Sequence, residues 1–368
     1  MSDSLKRTPL YDEHVELGGK IVPFAGFEMP VHYAEGITAE HRAVRESAGL
    51  FDVSHMGEFF VTGPQALDLV QRISVNDAAR MEIGQAQYSA MCDESGGVVD
   101  DLLVYRFADR YMLVVNAANL HKDLTWIRSH AEGLDVKVRD ASTEMALLAL
   151  QGPVAREVLR PLVDLDLDGI PYYRFAEGGV RGTPAVVSAT GYTGEDGFEL
   201  YVPAETVVTL WTLLLEEGGE RVAPAGLGAR DSLRLEMGYP LYGNDLDAEH
   251  TVLEAGLGWL TKLDKGPFVG RDALRAQKEA GLERRLVGLR VEERGFPRPG
   301  YPVRSEGTEV GHVTSGTVSP SLGHGVAMGY VPTALAAEGT TLQIDARGRL
   351  LDATVVRPPF YREGSIRR

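Results

Sequence analysis

The chain has 368 residues, 44% of them hydrophobic, which is enough for two or three folded domains with their own cores. Its formal net charge of −16, from 37 basic and 53 acidic residues, lacks the basic footprint that nucleic-acid binding needs. No 18-residue apolar run occurs, and the N-terminal segment resembles neither a secretory signal nor a transit peptide, so the expectation is a cytoplasmic protein with no membrane segment.

Helical spacing predicts helices over 38–48, 64–73, 119–130 and 203–217. The second carries Ala66, Leu69, Val70 and Ile73 on one face; the third takes Asn119 as its N-cap. Strands are predicted over 58–61, 88–92, 102–107, 111–116, 146–151, 185–189 and 198–202. Cys92, the single cysteine, falls in an apolar strand with no histidine nearby and reads as a packing residue. The nine histidines are dispersed without metal-ligand spacing, and no metal is expected. Helices and strands alternate irregularly, and tight turns such as 108–110 join strands. That favours an α+β fold with antiparallel or mixed sheets. Beyond about Arg284 the helix signal fades. Short strands at 286–291, 311–314, 326–331, 341–344 and 351–356 read as a small β-barrel, with 278–283 as the linker. On these grounds alone the chain divides into two domains.

Two segments carry chemistry. In the first, Gly96-Gly97-Val98-Val99-Asp100-Asp101-Leu102-Leu103-Val104-Tyr105, two acidic residues interrupt an otherwise buried strand. Alternation sets Asp101, Leu103, Tyr105 and Phe107 on one face and Leu102, Val104 and Arg106 on the other. A carboxylate on an apolar face is costly to bury without a partner, so Asp101 is a candidate for a ligand nitrogen. A turn-capping role is the competing reading for both aspartates. The second segment, residues 190–200, gathers three glycines with Tyr192, Glu195, Asp196 and Glu199. Its backbone can approach a flat ligand while Tyr192 stacks and Glu199 accepts from ring N–H groups. Further on, Arg230 and Arg234 lie one helical turn apart.

With these segments stand Pro23-Phe24-Ala25-Gly26-Phe27-Glu28-Met29-Pro30, Leu50-Phe51-Asp52-Val53-Ser54-His55-Met56-Gly57, residues 226–236, 253–259, 265–270 and 311–320. In this order the chain resembles the T-protein family of the glycine cleavage system, the folate-dependent aminomethyltransferases. The resemblance implies three parts around a central folate site: 1–50 with 140–230, 51–139 with 231–278 carrying the catalytic strand, and a barrel at 284–368. It implies transfer of the methylene group of an aminomethyl-lipoyl H-protein to tetrahydrofolate, a co-substrate, with release of ammonia, 5,10-methylenetetrahydrofolate and dihydrolipoyl H-protein. No metal, flavin or NAD takes part in the implied reaction.

The resemblance also implies roles. Asp101 matches the essential carboxylate, with Asp100 structural. Tyr88, Leu103, Tyr105, Asn116, Tyr192, Glu199, Arg230 and Arg362 are the folate-binding candidates. Arg234 is assigned to a salt bridge. Residues Arg284, Arg285, Arg290 and Arg294 form one option for docking H-protein, against the alternative of a solvated β-domain face. The related iron–sulfur assembly proteins carry a lysine-glycine-cysteine-tyrosine motif, and no cysteine stands in 253–259. The fused dimethylglycine and sarcosine dehydrogenases need a flavin domain for which there is no room. A non-catalytic folate-binding regulator is the remaining alternative.

Overall fold

The computed structural model describes residues 5–292 and 295–367. Two sheets face each other. A six-stranded sheet runs in the order Phe175–Val180, Thr183–Ser188, Gly197–Pro203, Met145–Gln151, Ala48–Asp52, Val222–Pro224; its last pair is parallel and its other pairs antiparallel. An antiparallel five-stranded sheet runs Gln85–Cys92, Val98–Arg106, Tyr111–Val115, Gly57–Thr62, Lys137–Asp140. Strand Met145–Gln151 shows why its sequence is continuously apolar: it is buried on both faces. Ala146, Leu148 and Leu150 turn outward under helices Ala155–Leu159 and Val207–Gly218, where Trp211 and Leu214 cover them. Leu147 and Ala149 turn inward and meet Tyr105, Met112 and Val114 of the facing sheet. On the far side, Leu102, Val104 and Leu113 pack under helices Ala66–Ile73 and Leu120–His130. The result is a helix–sheet–sheet–helix stack.

The last third closes into a six-stranded antiparallel barrel, Arg284–Val291, Gly325–Pro332, Thr308–Val318, Pro302–Ser305, Thr341–Ala346 and Arg349–Val356, around its own core of Val, Leu and Ile. The expected mixed α+β architecture with a terminal barrel is therefore present. The expected linker at 278–283 is shorter, because helix Arg271–Ala280 takes its first part; Leu274 anchors that helix in the core. The expected helix at 203–217 begins with a 3₁₀ turn, Ala204–Thr206, and is α-helical over Val207–Gly218. Among the described residues no helix is long and apolar enough to cross a membrane.

Two glycines fix the entry to the Asp101 strand. Gly96 has φ +90°, a left-handed conformation that disfavours side chains, and a Cβ on Gly97 would sit 2.1 Å from the Ala248 carbonyl oxygen. A bulge follows: Met91 pairs with Asp100 but Cys92 with Val98, leaving Val99 as the extra residue. From Asp100 onward the alternation is regular. Leu103, Tyr105 and Phe107 enter the core between the sheets, and Leu102 and Val104 the core beneath the helices.

Candidate active site

A cavity of about 1130 Å³ lies where the two sheets, the end of helix Leu227–Met237 and the barrel meet. Of the sequence candidates, Tyr88, Asp101, Leu103, Asn116, Tyr192, Glu199 and Arg230 line it.

Asp101 is held from two sides. Tyr88 stands opposite Leu103, so its phenol reaches diagonally along the ladder and donates to Asp101 Oδ2 at 2.9 Å. Asn116, just past the neighbouring strand, donates from Nδ2 to Asp101 Oδ1 at 2.8 Å. The same amide nitrogen donates to Asp100 Oδ1 at 2.8 Å, and the Asn116 backbone N–H donates to Asp100 Oδ2 at 3.1 Å. Burial, then the charge of Asp100, push the Asp101 carboxyl well above the usual carboxylate range, against the pull of the Tyr88 and Asn116 hydrogen bonds. Such a group both takes and gives a proton near neutral pH, which is the requirement for acid–base work. Burial raises the Tyr88 phenol, with the charge of Asp101 adding to it, so Tyr88 remains a donor.

The opposite wall is built by the 190–200 loop and the strand after it. Glu199 faces the cavity, and its Oε2 accepts from Thr190 Oγ1. Burial raises its carboxyl, while Thr190 and the charge of Arg230 hold it back. The Arg230 guanidinium lies 4.9 Å from the centre of the Tyr192 ring. That ring also stacks on Tyr239, with centroids 5.7 Å apart, and its hydroxyl donates to the Pro240 carbonyl. Tyr192 is thus a fixed part of the wall. A site with a carboxylate at each of two walls, hydroxyls between them and the Arg230 guanidinium beside Tyr192 suits a flat heterocycle with ring N–H groups.

Other candidates lie elsewhere. Tyr105 is fully buried behind the wall, its hydroxyl 2.9 Å from that of Tyr201 and 3.2 Å from Thr190 Oγ1. It therefore supports Thr190, and through it Glu199. Arg362 is exposed, and its guanidinium turns to the Pro359 and Arg357 carbonyls. Asn119 makes no cap to its helix; its Nδ2 donates to Asp100 Oδ1 at 2.7 Å. Arg234 is buried between Asp245, at 2.7 Å, and Asp231, as the salt-bridge assignment expected. Among the docking candidates, Arg284 pairs with Glu254 and Arg290 with Glu292, while Arg285 reaches the cavity rim. Arg294 lies outside the described residues.

Cavity residues not read from the sequence include Asn76, Tyr172, Tyr173, Tyr239 and Trp259. Three of these carried a signal. Tyr172-Tyr173 is an aromatic pair just before a strand, and Tyr173 takes φ +62°, a conformation a tyrosine rarely adopts. Tyr239 follows Gly238, a left-handed cap at φ +68° where a Cβ would meet Pro358 at 2.3 Å. That contact brings the tail of the barrel to the cavity.

Residues 10–265 match the GCVT N-terminal domain family, and residues 284–362 the glycine cleavage T-protein C-terminal barrel domain. The chain is 54% identical to an aminomethyltransferase of Symbiobacterium thermophilum, over 98% of this chain and 99% of that protein. It is 50% identical to an aminomethyltransferase of Desulfitobacterium hafniense, over 97% and 98%. The crystal structure of glycine cleavage system aminomethyltransferase T from Bartonella henselae superposes with a TM-score of 0.93 at 38% identity, covering 98% of this chain and 99% of that one.

Proposed function

The chain belongs to the glycine cleavage T-protein family and is an aminomethyltransferase, and we propose that its substrates are tetrahydrofolate and an aminomethyl group borne on the lipoyl arm of H-protein. The observation that carries the reading is the pairing of Asp101 with Tyr88 and Asn116 inside a cavity whose opposite wall holds Glu199 and Arg230. In this reading the pterin lies between the two walls, with Glu199 accepting from its N–H edge. N5 of the folate attacks the methylene carbon. Carbon–nitrogen and carbon–sulfur bonds to that carbon break, N5 and N10 replace them, and their protons leave with ammonia and the lipoyl thiol.

The residues have separable tasks. Asp101 sits at the reacting nitrogen, taking its proton and offsetting the positive charge that develops on the carbon. Tyr88 and Asn116 fix the carboxylate so that no reorganisation is needed as charge develops. The largely apolar surroundings of Leu103, Val114 and Met56 keep water from the reacting carbon. Tetrahydrofolate should raise the melting temperature, while NAD, FAD and nucleotides should leave it unchanged. With aminomethylated H-protein added, 5,10-methylenetetrahydrofolate and ammonia should form in equal amounts. A folded protein that is stabilised by a dinucleotide and not by reduced folate would refute the reading.

A further inference from the structure

The Asp101 strand is backed by helix Leu120–His130, which sets a third carboxyl against the first two. Asp123 on that helix is fully buried. Among the described residues neither of its oxygens accepts from an N–H or a neutral hydroxyl. Its carboxyl lies beside that of Asp100, close enough that each shifts the other's hold on a proton. Asp100, by contrast, collects three N–H donors: the side chains of Asn116 and Asn119 at 2.8 and 2.7 Å, and the Asn116 backbone at 3.1 Å. Two carboxylates cannot share a dry contact as two charges; one proton must lie between them. The oxygen set rich in N–H donors keeps the negative charge, and the set without donors keeps the proton.

We propose that Asp123 is held as a neutral acid whose O–H donates to Asp100, and that this pair is the positioning device of Asp101. Of the pair, only Asp100 then carries a negative charge behind the strand. It grips the Asn116 side-chain amide, and that amide also donates to Asp101 Oδ1. Asp123 thereby acts on the reacting carboxylate through two intermediates without touching the cavity. Burial, then the Asp100 contact, push the Asp123 carboxyl far above its ordinary range, in accord with this geometry.

The charged and titratable neighbours are few. Lys122 on the same helix turns its ammonium to the Val99 carbonyl and the Tyr242 hydroxyl, and Tyr242 faces the pair from the segment beyond Arg234. Facing Asp101 are Asp100 on its own strand, Tyr88 across the ladder, and Tyr173 and Tyr192 from the other wall. The Asp100 charge raises the proton affinity of Asp101, and a second charge at Asp123 would raise it further.

The inference rests on the reading of Asp101 as the reacting carboxylate, so one arm of its test is independent of turnover. At neutral pH the wild-type protein should show a carboxylic-acid C=O stretch in its infrared spectrum that Asp123→Asn lacks. In the second arm, the acid limb of kcat/KM is followed for Asp123→Leu, Asp123→Asn and Asp100→Asn. Asp123→Leu removes the donor, so Asp100 takes up the proton and Asp101 loses a neighbouring charge. The acid limb should then move to lower pH by about half a unit or more, with kcat down on the order of tenfold. Asp123→Asn restores a neutral donor and should restore both. Asp100→Asn should move the limb in the same direction as Asp123→Leu, which keeps the comparison decisive if the leucine variant does not fold. Absence of the infrared band, or an Asp123→Asn limb displaced as far as that of Asp100→Asn, would overturn the proposal. A protein that shows the band but transfers no methylene group would sink the substrate assignment and leave the carboxyl pair standing.

Discussion

Tyr88 and Asp101 are joined two residues off register: Tyr88 pairs with Leu103 on the ladder, yet its hydroxyl reaches Asp101 Oδ2 at 2.9 Å. The diagonal reach leaves both oxygens of Asp101 bonded, one to Tyr88 and one to Asn116. Replacing Asp101 by asparagine keeps its shape and removes its proton chemistry. Turnover should fall by roughly 10²–10⁴-fold with folate affinity largely kept. At the pH optimum Asp100→Asn should cost much less, since its carboxylate does not face the cavity. Steady-state kinetics and a folate titration on the two folded variants would check this; equal losses would show that the strand faces are misassigned.

The two glutamates of the 190–200 segment should separate cleanly. Glu199 faces the cavity, whereas Glu195 is buried in an ion pair with Arg45 at 2.7 Å and accepts from the Ser365 backbone and hydroxyl. Glu199→Ala should weaken folate binding ten- to hundredfold, as expected for a charge-assisted hydrogen bond of about 1.5–3 kcal/mol. Glu195→Ala should lower the melting temperature and leave the folate dissociation constant of the folded fraction nearly unchanged. Calorimetric titration beside thermal melts distinguishes them, and a larger affinity loss at Glu195 would count against the pterin contact.

Arg230 and Arg234 offer a parallel contrast from one helix. Arg234 is 1% exposed, and its loss would strand the fully buried Asp245 carboxylate. Arg234→Met should therefore destabilise the fold by roughly 3–5 kcal/mol, the cost of breaking a buried pair. Arg230→Met removes a guanidinium from the cavity wall and should act on ligand affinity instead. Urea unfolding curves on both variants decide between these effects.

Much of the site could be read along the chain because it obeys local rules. Period-2 alternation after the Gly96-Gly97 turn separates Asp100 from Asp101, and that separation survives in the fold even though a bulge at Val99 precedes it. The helix period separates Arg230 from Arg234 in the same way. Tyr105 shows where such rules end. It shares a face with Asp101, but that face runs from the cavity into the core between the sheets, and the second sheet closes over it at Tyr201. Where the cavity ends depends on how the sheets pack, which alternation does not encode. Asn119 failed for a related reason. A residue well suited to cap a helix was drawn instead to a buried carboxylate from a neighbouring strand. Asn76 lies in an irregular segment and Trp259 ends the single 3₁₀ turn Leu257–Trp259, too short for a period to mark an inward face.

The barrel is tied to the rest by a buried charge cluster, and this should govern stability in acid. Burial alone would raise the Glu236 carboxyl. His41, Arg45 and Ser319 outweigh it and hold the group at about 2, below an ordinary glutamate of 4.5. The folded value is the lower one, so the contribution to stability is complete above about 4.5 and is lost as pH falls from 4.5 toward 2. Its full size is on the order of 3 kcal/mol. Melting temperatures across that window should drop steeply for the wild type and less steeply for Glu236→Gln, which starts from a lower value at neutral pH. Parallel curves would remove Glu236 from the acid transition.

The arginines of the first barrel strand should not contribute equally to carrier docking. Arg290 is spent on Glu292 at 2.9 Å and Arg284 on Glu254 at 3.1 Å, pairs that stay within this chain. Arg285 lies between them in sequence but on the opposite face of the strand, and it reaches the cavity rim with Trp259, which is 65% exposed there. On the proposed reading a lipoyl arm enters through a rim, and a net charge of −16 gives an acidic carrier no long-range attraction, so local cations carry the approach. Arg285→Glu should raise the KM for aminomethylated H-protein several-fold at low salt, with the folate dissociation constant unchanged. Arg290→Glu should do little by comparison, because its charge is already neutralised by Glu292. The difference should shrink as salt screens the encounter. If both variants raise KM equally, the whole strand face is the docking surface; if neither does, the carrier enters from another side of the cavity.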